Sequence, residues 1–81
     1  MVGRIVCSKA GRDKGKFMVV VGNRGKELLV CDGKERPLSR PKPKNIKHLA
    51  VTNSSLEEKQ FATDRSLRRA LAQYRGTAVE L

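Results

Sequence analysis

The sequence predicts a mainly β fold. A small barrel is expected over residues 1–53, followed by a short helical tail over residues 54–81 that packs on the barrel or extends from it. Short apolar runs recur about every 8–12 residues with turn residues between them, which is typical of small barrels rather than of alternating α/β units. After residue 53 the apolar residues take a helical spacing. A chain of 81 residues accommodates a single domain.

Three antiparallel strands are predicted in the first part of the chain, at residues 4–8, 16–21 and 26–31. The second of them is the clearest. Because side chains alternate between the two faces of a strand, Phe17, Val19 and Val21 share one face, and Met18 and Val20 share the other. The third strand alternates in the same way.

Turn residues separate these strands. The segments "GNRG" at 22–25 and "DGKE" at 32–35 are rich in Gly, Asn and Asp, which adopt turn conformations at low cost. Each segment therefore predicts a tight reversal of the chain.

A proline-rich segment, "RPLSRPKPKNIKHLAV", follows at residues 36–51. Prolines lack the amide donor that a central strand needs, so the segment is expected to begin as an edge or extended crossing. We expect it to end in a final strand at about 46–51, with Ile46, Leu49 and Val51 in the core. That strand would close the barrel and hide an exposed edge.

The tail is predicted to be helical. Ser55 and Glu58 have the spacing of a capping box, which favours a helical turn at 56–60. A longer helix is expected at about 64–75, with Thr63 or Asp64 as its N-cap and Gly76 just past its end.

One side of that longer helix is apolar, with residues at helical spacing: Leu67, Ala70, Leu71 and Tyr74. Much of the rest is basic, with Arg65, Arg68, Arg69 and Arg75. The helix is therefore predicted to cover the barrel, with its arginines in solvent. A second RNA contact and a partner-binding helix are the alternatives.

Positive charge is concentrated in the N-terminal part. The net charge is +10, and residues 1–50 hold 13 Lys and Arg against 4 Asp and Glu. Such a field favours a polyanionic partner, because each neutralised phosphate releases condensed counterions. Solubility alone would predict interspersed signs, and no segment has the apolar length that crosses a membrane. Only Phe17, Phe61 and Tyr74 are aromatic, which weighs against the capture of several unstacked bases.

The two cysteines, Cys7 and Cys31, lie in apolar runs far apart in the sequence. With no signal peptide, they are expected to be reduced core residues of a cytoplasmic protein, in preference to a disulfide. No catalytic pairing, metal site or cofactor motif is evident, so we expect no enzyme activity. The single histidine, His48, is expected to be a partly buried barrel residue or to hydrogen-bond RNA.

The stretch "KAGRDKGK", residues 9–16, combines flexibility and charge before the valine-rich strand. Gly11 permits a backbone conformation that other residues avoid, and Gly15 lets an oxygen approach the main chain. Successive amides in such turns can form a concavity that binds anions. Lys9, Arg12, Lys14 and Lys16 add cations around it. Asp13 is expected to cap a backbone amide or to orient a neighbouring basic side chain.

This loop, with the strands on either side, resembles the KOW motif. Gly11 matches its fixed glycine, "DKGK" its basic turn, and Val19–Val21 its apolar strand. The segments "CDGKERPL" and "PKPKNIKHL" are similar to those of the archaeal and eukaryotic type large-subunit ribosomal proteins of the fourteen-e, six-e and twenty-seven-e group. The resemblance covers residues 2–52 well and 56–76 loosely.

The resemblance implies an SH3-like β-barrel of KOW type that holds structured RNA, usually ribosomal. By position, Gly11 would be the conformational pivot of the loop. Phosphate contacts would come from Lys9, Arg12, Lys14 and Lys16. The chain lacks the long C-terminal extensions of the ribosomal members, which favours an accessory, ribosome-associated protein over a constitutive ribosomal one.

The proline-rich segment supplies a second basic element, in which prolines reduce the entropy lost on binding. Its cations are Arg36, Arg40, Lys42, Lys44 and Lys47; Arg24 and Lys26 are weaker candidates. The residues together predict a non-catalytic RNA-binding protein, and the expected partners are RNA, ribosomal RNA in particular, and ribosomal proteins. The alternative is an interaction module that docks on an acidic partner in the transcription or translation machinery.

Overall fold

The computed structural model describes residues 1–74. It contains strands β1 (Arg4–Ser8), β2 (Phe17–Arg24), β3 (Glu27–Cys31), β4 (Lys42–Asn45) and β5 (Leu49–Ser55), and helix α1 (Asp64–Gln73). Two short 3₁₀ helices lie at Ile46–His48 and Glu58–Phe61. The predicted mainly β fold with a C-terminal helix is confirmed.

All five strands form one antiparallel sheet in the order β4-β3-β2-β1-β5. The edges of a flat five-stranded sheet would lie about 19 Å apart. The chain from Asn45 to Leu49, which joins the two edge strands, reaches about 14 Å when extended. The sheet must therefore curl, and within residues 1–74 its hydrogen-bonded ladder does not close. The fold is barrel-like, and the predicted closure by the last strand is not observed.

The curled sheet has an apolar core on each face. One core is made of alternate residues of four strands: Val6, Met18, Val20, Leu28, Val30 and Leu49. The other contains Val19, Cys31 and the helix residue Leu67. The predicted alternation along β2 is thereby confirmed. Full burial of Leu67, worth roughly 1.5–3 kcal/mol, holds α1 against the sheet.

The reversal after β2 differs from the prediction. The strand continues through "GNR" to Arg24, with an irregularity in pairing between Val20 and Gly22. Arg24 pairs with Glu27, so the turn consists of Gly25 and Lys26 alone. Gly25 has φ of +61°, and no non-glycine residue within 1–74, Lys26 included, has positive φ. This pattern matches the II′ hairpin turn, whose twist suits the flanking strands.

The proline-rich segment forms two strands instead of one. Pro43 lies in β4, an edge strand as its missing amide predicts. The side chain of Asn45 then accepts a hydrogen bond from the amide of Lys47 and begins the 3₁₀ helix. This turn leaves Ile46 44% exposed, and Val51 is 37% exposed. Of the three residues predicted in the core, only Leu49 is buried.

The strand β5 also extends further than predicted, because a polar residue inside it is fully satisfied. Thr52 is buried, and its hydroxyl donates to the carbonyl of Ile5 at 2.7 Å. The same hydroxyl accepts from the amide of Ser54 at 3.1 Å. The segment "TNSS" therefore continues the strand where the sequence predicted its end.

The helical tail is confirmed with shifted caps. The predicted capping box of Ser55 and Glu58 is wrong, since Glu57 and Gln60 form that box instead. Thr63 caps α1 through its hydrogen bond from the amide of Ser66, as one of the two predicted alternatives. The helix ends at Gln73, and the predicted positions of Arg75 and Gly76 lie outside the described residues.

Polar contacts fix α1 to the turn at 32–38. The Asp64 carboxylate accepts from the amide of Leu38 at 2.7 Å, and the Arg68 guanidinium donates to the carbonyl of Gly33 at 2.9 Å. The helix therefore covers the sheet as predicted, and Arg68 contributes to this docking. No helix within residues 1–74 is long and apolar enough to cross a membrane.

The two cysteines are free thiols. Cys31 is fully buried, as predicted, whereas Cys7 is only half-buried. Burial, with the nearby charges of Asp64 and Asp32, raises the pKa of Cys31 to about 11. Burial also raises the pKa of Cys7. Both thiols are thus poor nucleophiles at neutral pH.

Gly33→Ala is expected to lower the free energy of unfolding by about 3 kcal/mol. Gly33 has φ of +79°, and an added Cβ would lie 2.6 Å from the carbonyl oxygen of Asp64. The left-handed backbone costs roughly 1–2 kcal/mol, and the clash adds about 1–3 kcal/mol. Gly25→Ala is the matched control, because φ is positive there but nothing lies within 4 Å. Thermal unfolding should show Gly33→Ala melting clearly below the control. Equal midpoints would contradict the close contact between α1 and the turn at Gly33.

Candidate functional site

The stretch 9–16 forms a compact loop between β1 and β2. Gly11 and Gly15 have φ of +86° and +87°, so glycine is required at both positions. Three amides of the loop donate to backbone carbonyls: Gly15 to that of Ser8 at 2.8 Å, Lys14 to that of Gly11 at 3.2 Å, and Lys16 to that of Asp13 at 2.9 Å. The predicted pivot at Gly11 agrees with this conformation.

The predicted cradle of backbone amides is not formed by this half of the loop. The amides of Lys14, Gly15 and Lys16 already donate to carbonyls of the protein, so they are not directed at an external anion. The glycines serve to fold the loop tightly. Any anion that binds there meets mainly the cationic side chains.

A carboxylate holds the loop to the sheet. Asp13 Oδ1 accepts from Ser8 Oγ at 2.8 Å and from Lys44 Nζ at 2.7 Å. Lys42 Nζ lies 3.4 Å from Asp13 Oδ2, and Lys44 Nζ also donates to the carbonyl of Ala10 at 2.7 Å. These side-chain contacts join the loop to β4. In the order of the sheet, β4 is an edge strand, two places from β2 and four places from β5.

This ion pair is shielded from water. The side chains of Lys44 and Asp13 are 7% and 13% exposed. Burial alone would raise the pKa of Asp13, but the hydrogen bonds from Lys44 and Ser8, with the charge of Lys44, outweigh it. The pKa of Asp13 therefore lies well below its ordinary value. The expectation that Asp13 orients a neighbouring basic side chain agrees with this geometry. The alternative, that Asp13 caps a backbone amide, does not.

Lys44 requires a correction. It was predicted to contact phosphate, but its ammonium is buried and bonded to Asp13 and Ala10. Removing such a group from its partner costs about 3–5 kcal/mol. Lys44 is thus a positioning residue for the loop and not a contact for an external phosphate.

Several predicted cations meet around one cavity of about 180 Å³. Its lining includes four of them, Arg12, Lys16, Arg36 and Lys42, together with Met18 and the carboxylates Asp13, Asp32 and Glu35. The four cations come from the loop, from the turn after β3 and from β4. The two basic elements that the sequence predicted separately therefore share one surface.

The carboxylates at this cavity have local partners. Lys16 Nζ bonds Glu35 Oε1 at 2.9 Å, which raises the pKa of Lys16. Both side chains are well exposed, at 44% and 67%, and such surface pairs are weak. Asp32 accepts from the amides of Lys34 and Arg36, which is a common role for Asp in turns.

The remaining predicted cations are exposed and lie outside the lining of the cavity. Lys9 and Lys14 project from the loop, and the amide of Lys9 donates to the carbonyl of His48 at 2.8 Å, next to Lys47. Arg40 is exposed in a turn closed by its amide on the carbonyl of Pro37.

The structure also places His48, Arg24 and Lys26, which the sequence had singled out. His48 is exposed and not partly buried. Arg24 pairs with Glu27 at 3.1 Å, and Lys26 lies in the β2–β3 turn. Within residues 1–74, no three His, Cys, Asp or Glu side chains are placed to bind a metal ion together.

Sequence reasoning missed Ser8 and Lys34. Ser8 is buried at the end of β1 and donates to Asp13, and a serine among apolar strand residues is the only signal of that role. Lys34 lies on a groove described below.

No protein-family model matches the chain. Fold and site define it as a small, mainly β domain with a basic loop fixed by a shielded ion pair.

Proposed function

We propose that this protein is a non-catalytic RNA-binding domain of the SH3-like, KOW type, acting in the cytoplasm. It holds the backbone of structured RNA with the cations of the loop 9–16 and of the segment 36–47. The observation that supports the proposal is the cavity at which Arg12, Lys16, Arg36 and Lys42 meet from separate parts of the chain. The proposal omits Lys44, whose charge is used internally.

The mechanism is binding by positioned charge. The ion pair of Asp13 and Lys44 fixes the loop before RNA arrives, so little loop entropy is lost on binding. Exposed Lys9, Arg12 and Lys14 then contact phosphates and release counterions. Phosphate contacts position an RNA without reading its sequence, so we expect recognition of shape above sequence.

A nucleic acid fits this surface better than an acidic protein does. Most of the positive charge lies in residues 1–50, where the net charge is +9, and duplex RNA offers phosphates at a regular spacing to match it. The quoted similarity to large-subunit ribosomal proteins supports ribosomal RNA as the partner. Sedimentation of the protein with ribosomes and with free subunits tests that assignment.

Lys14→Ala is expected to weaken binding about fivefold at 0.15 M salt, to a similar degree for two unrelated RNA hairpins. The slope of log K against log salt should flatten by about 0.9 for one lost phosphate contact. Lys59→Ala is the matched control, because Lys59 is exposed in the 58–61 turn, away from the loop.

Two outcomes would count against the proposal. A slope near zero for the unmodified protein would exclude backbone contacts as the source of affinity. Tighter, salt-dependent binding to an acidic polypeptide than to either hairpin would favour the interaction-module alternative.

A further inference from the structure

An open groove lies on the helix side of Lys16. It measures about 540 Å³ and runs between the loop 9–16, the turn after β3 and α1. Phe17, Leu71 and Ala72 give it apolar walls, and Lys16, Lys34 and Arg68 place cations beside them. Gly15 and Asp32 complete the lining. The volume lies within the range of about 300–1,000 Å³ that is usual for ligand sites.

The walls of this groove are held in place by packing. Phe17 meets Tyr74 edge to face, with ring centroids 5.0 Å apart and an interplanar angle of 72°. Leu71 packs against the core beneath α1. Arg68 is bonded to the carbonyl of Gly33 through one nitrogen at 2.9 Å, and its guanidinium retains further donors.

The lining fits a ligand with a flat apolar body and attached negative charge. A nucleotide has both, because its base stacks on apolar and aromatic surfaces while its phosphates bind cations. We propose that the groove receives the base of one unpaired nucleotide, with the adjoining phosphates on Lys16 and Lys34. This inference rests on the proposed RNA binding and names the feature of the RNA that the site prefers.

Lys16 lines both the cavity of the basic surface and this groove. A backbone held at the cavity therefore leads directly to the groove, and the next nucleotide can leave its stack to enter it. One base is what the site accommodates, because Phe17 is the one aromatic residue among the described residues of the lining. Recognition of a bulge or loop combines this single base with the paired backbone beside it.

The first experiment compares two RNA hairpins that differ by one unpaired nucleotide in the stem. The unmodified protein is expected to bind the bulged hairpin about 10-fold more tightly than the fully paired one. With 2-aminopurine at the unpaired position, fluorescence should fall at saturation as the base stacks in the groove. Equal affinity for the two hairpins, or unchanged emission, would overturn the groove assignment.

A matched pair of variants tests whether the preference for the bulged hairpin arises in the groove. Ala72→Glu adds one negative charge inside the groove, whereas Gln73→Glu adds the same charge on the next residue, which lines a different surface of α1. Ala72→Glu is expected to abolish the preference for the bulged hairpin, and Gln73→Glu to retain it. Thermal unfolding checks that both variants fold.

The outcomes separate this inference from the proposed function. If both variants keep the preference, or lose it equally, the groove is not the site, although RNA binding stands. If the unmodified protein binds neither hairpin, the RNA-binding proposal itself fails. Should Ala72→Glu not fold, the 2-aminopurine fluorescence measured with the unmodified protein decides the case.

Discussion

Asp13→Asn is expected to lower the free energy of unfolding by roughly 3 kcal/mol, the low end for a broken buried ion pair. The substitution removes the carboxylate that Lys44 Nζ contacts at 2.7 Å, while Lys44 stays 7% exposed. The ammonium is then buried with neutral oxygens alone as partners, the carbonyl of Ala10 among them, and without a carboxylate to balance its charge. Urea unfolding followed by circular dichroism measures the loss.

The double variant Asp13→Asn with Lys44→Met is the control for this explanation. Replacing both partners removes the unpaired charge, so the double variant should recover about 2 kcal/mol relative to Asp13→Asn alone. A double variant less stable than both single variants would mean that the pair does not act as described.

The same pair predicts how stability depends on pH. The folded protein holds the pKa of Asp13 below its ordinary value of 3.8. Its contribution is therefore fully present above about pH 4 and is lost as the pH falls toward the folded pKa. The stability difference between the protein and Asp13→Asn should shrink between pH 7 and pH 3, and a constant difference would contradict the linkage.

Reversal of charge at Arg12 and Lys14 is expected to weaken RNA binding by about 100-fold or more at 0.15 M salt, while the midpoint of thermal unfolding barely changes. Both side chains are exposed on the loop. Each lost contact costs about 1 kcal/mol at this salt concentration, and reversal adds repulsion from the phosphates. Fluorescence anisotropy with a labelled hairpin measures the affinity of Arg12→Glu/Lys14→Glu.

The control for this variant carries the same change in net charge on the tail. Lys59→Glu/Arg69→Glu alters two exposed cations outside the loop, and we expect less than about a fivefold loss, because salt screens distant charges over about 8 Å. Equal losses in the two variants would show that affinity follows net charge alone. A larger loss in the tail variant would favour α1 as the main RNA contact.

Much of the fold was predictable because its signals are local. The alternation in β2 assigns Met18 and Val20 to one core and Val19 to the other, and the edge position of β4 follows from Pro43. That the ladder stays open between β4 and β5 was not predictable, because it depends on how far the sheet curls. The extension of β5 was hidden for a similar reason, since Thr52 reads as a loop residue until Ile5 is known to face it.

The candidate site was predictable in composition and less so in detail. Glycine and charge in the loop anticipate the positive φ of Gly11 and the exposed cations. The role of Lys44 could not be read from the sequence, because it depends on Asp13, which is 31 residues away. Residues 14–16 do not form the predicted amide cradle, because their amides donate to carbonyls of the protein. That pairing depends on the folded geometry and could not be read from the sequence.

The central claim is that a loop fixed by the ion pair of Asp13 and Lys44 presents its cations to an RNA backbone. Amide chemical shifts of the ¹⁵N-labelled protein, recorded during titration with an RNA hairpin, test it residue by residue. The account predicts the largest changes at residues 9–16, 36–42 and 47, with Gly3 and Phe61 nearly unchanged. Largest changes around Gly3 and the 58–61 turn, with a silent loop, would contradict it.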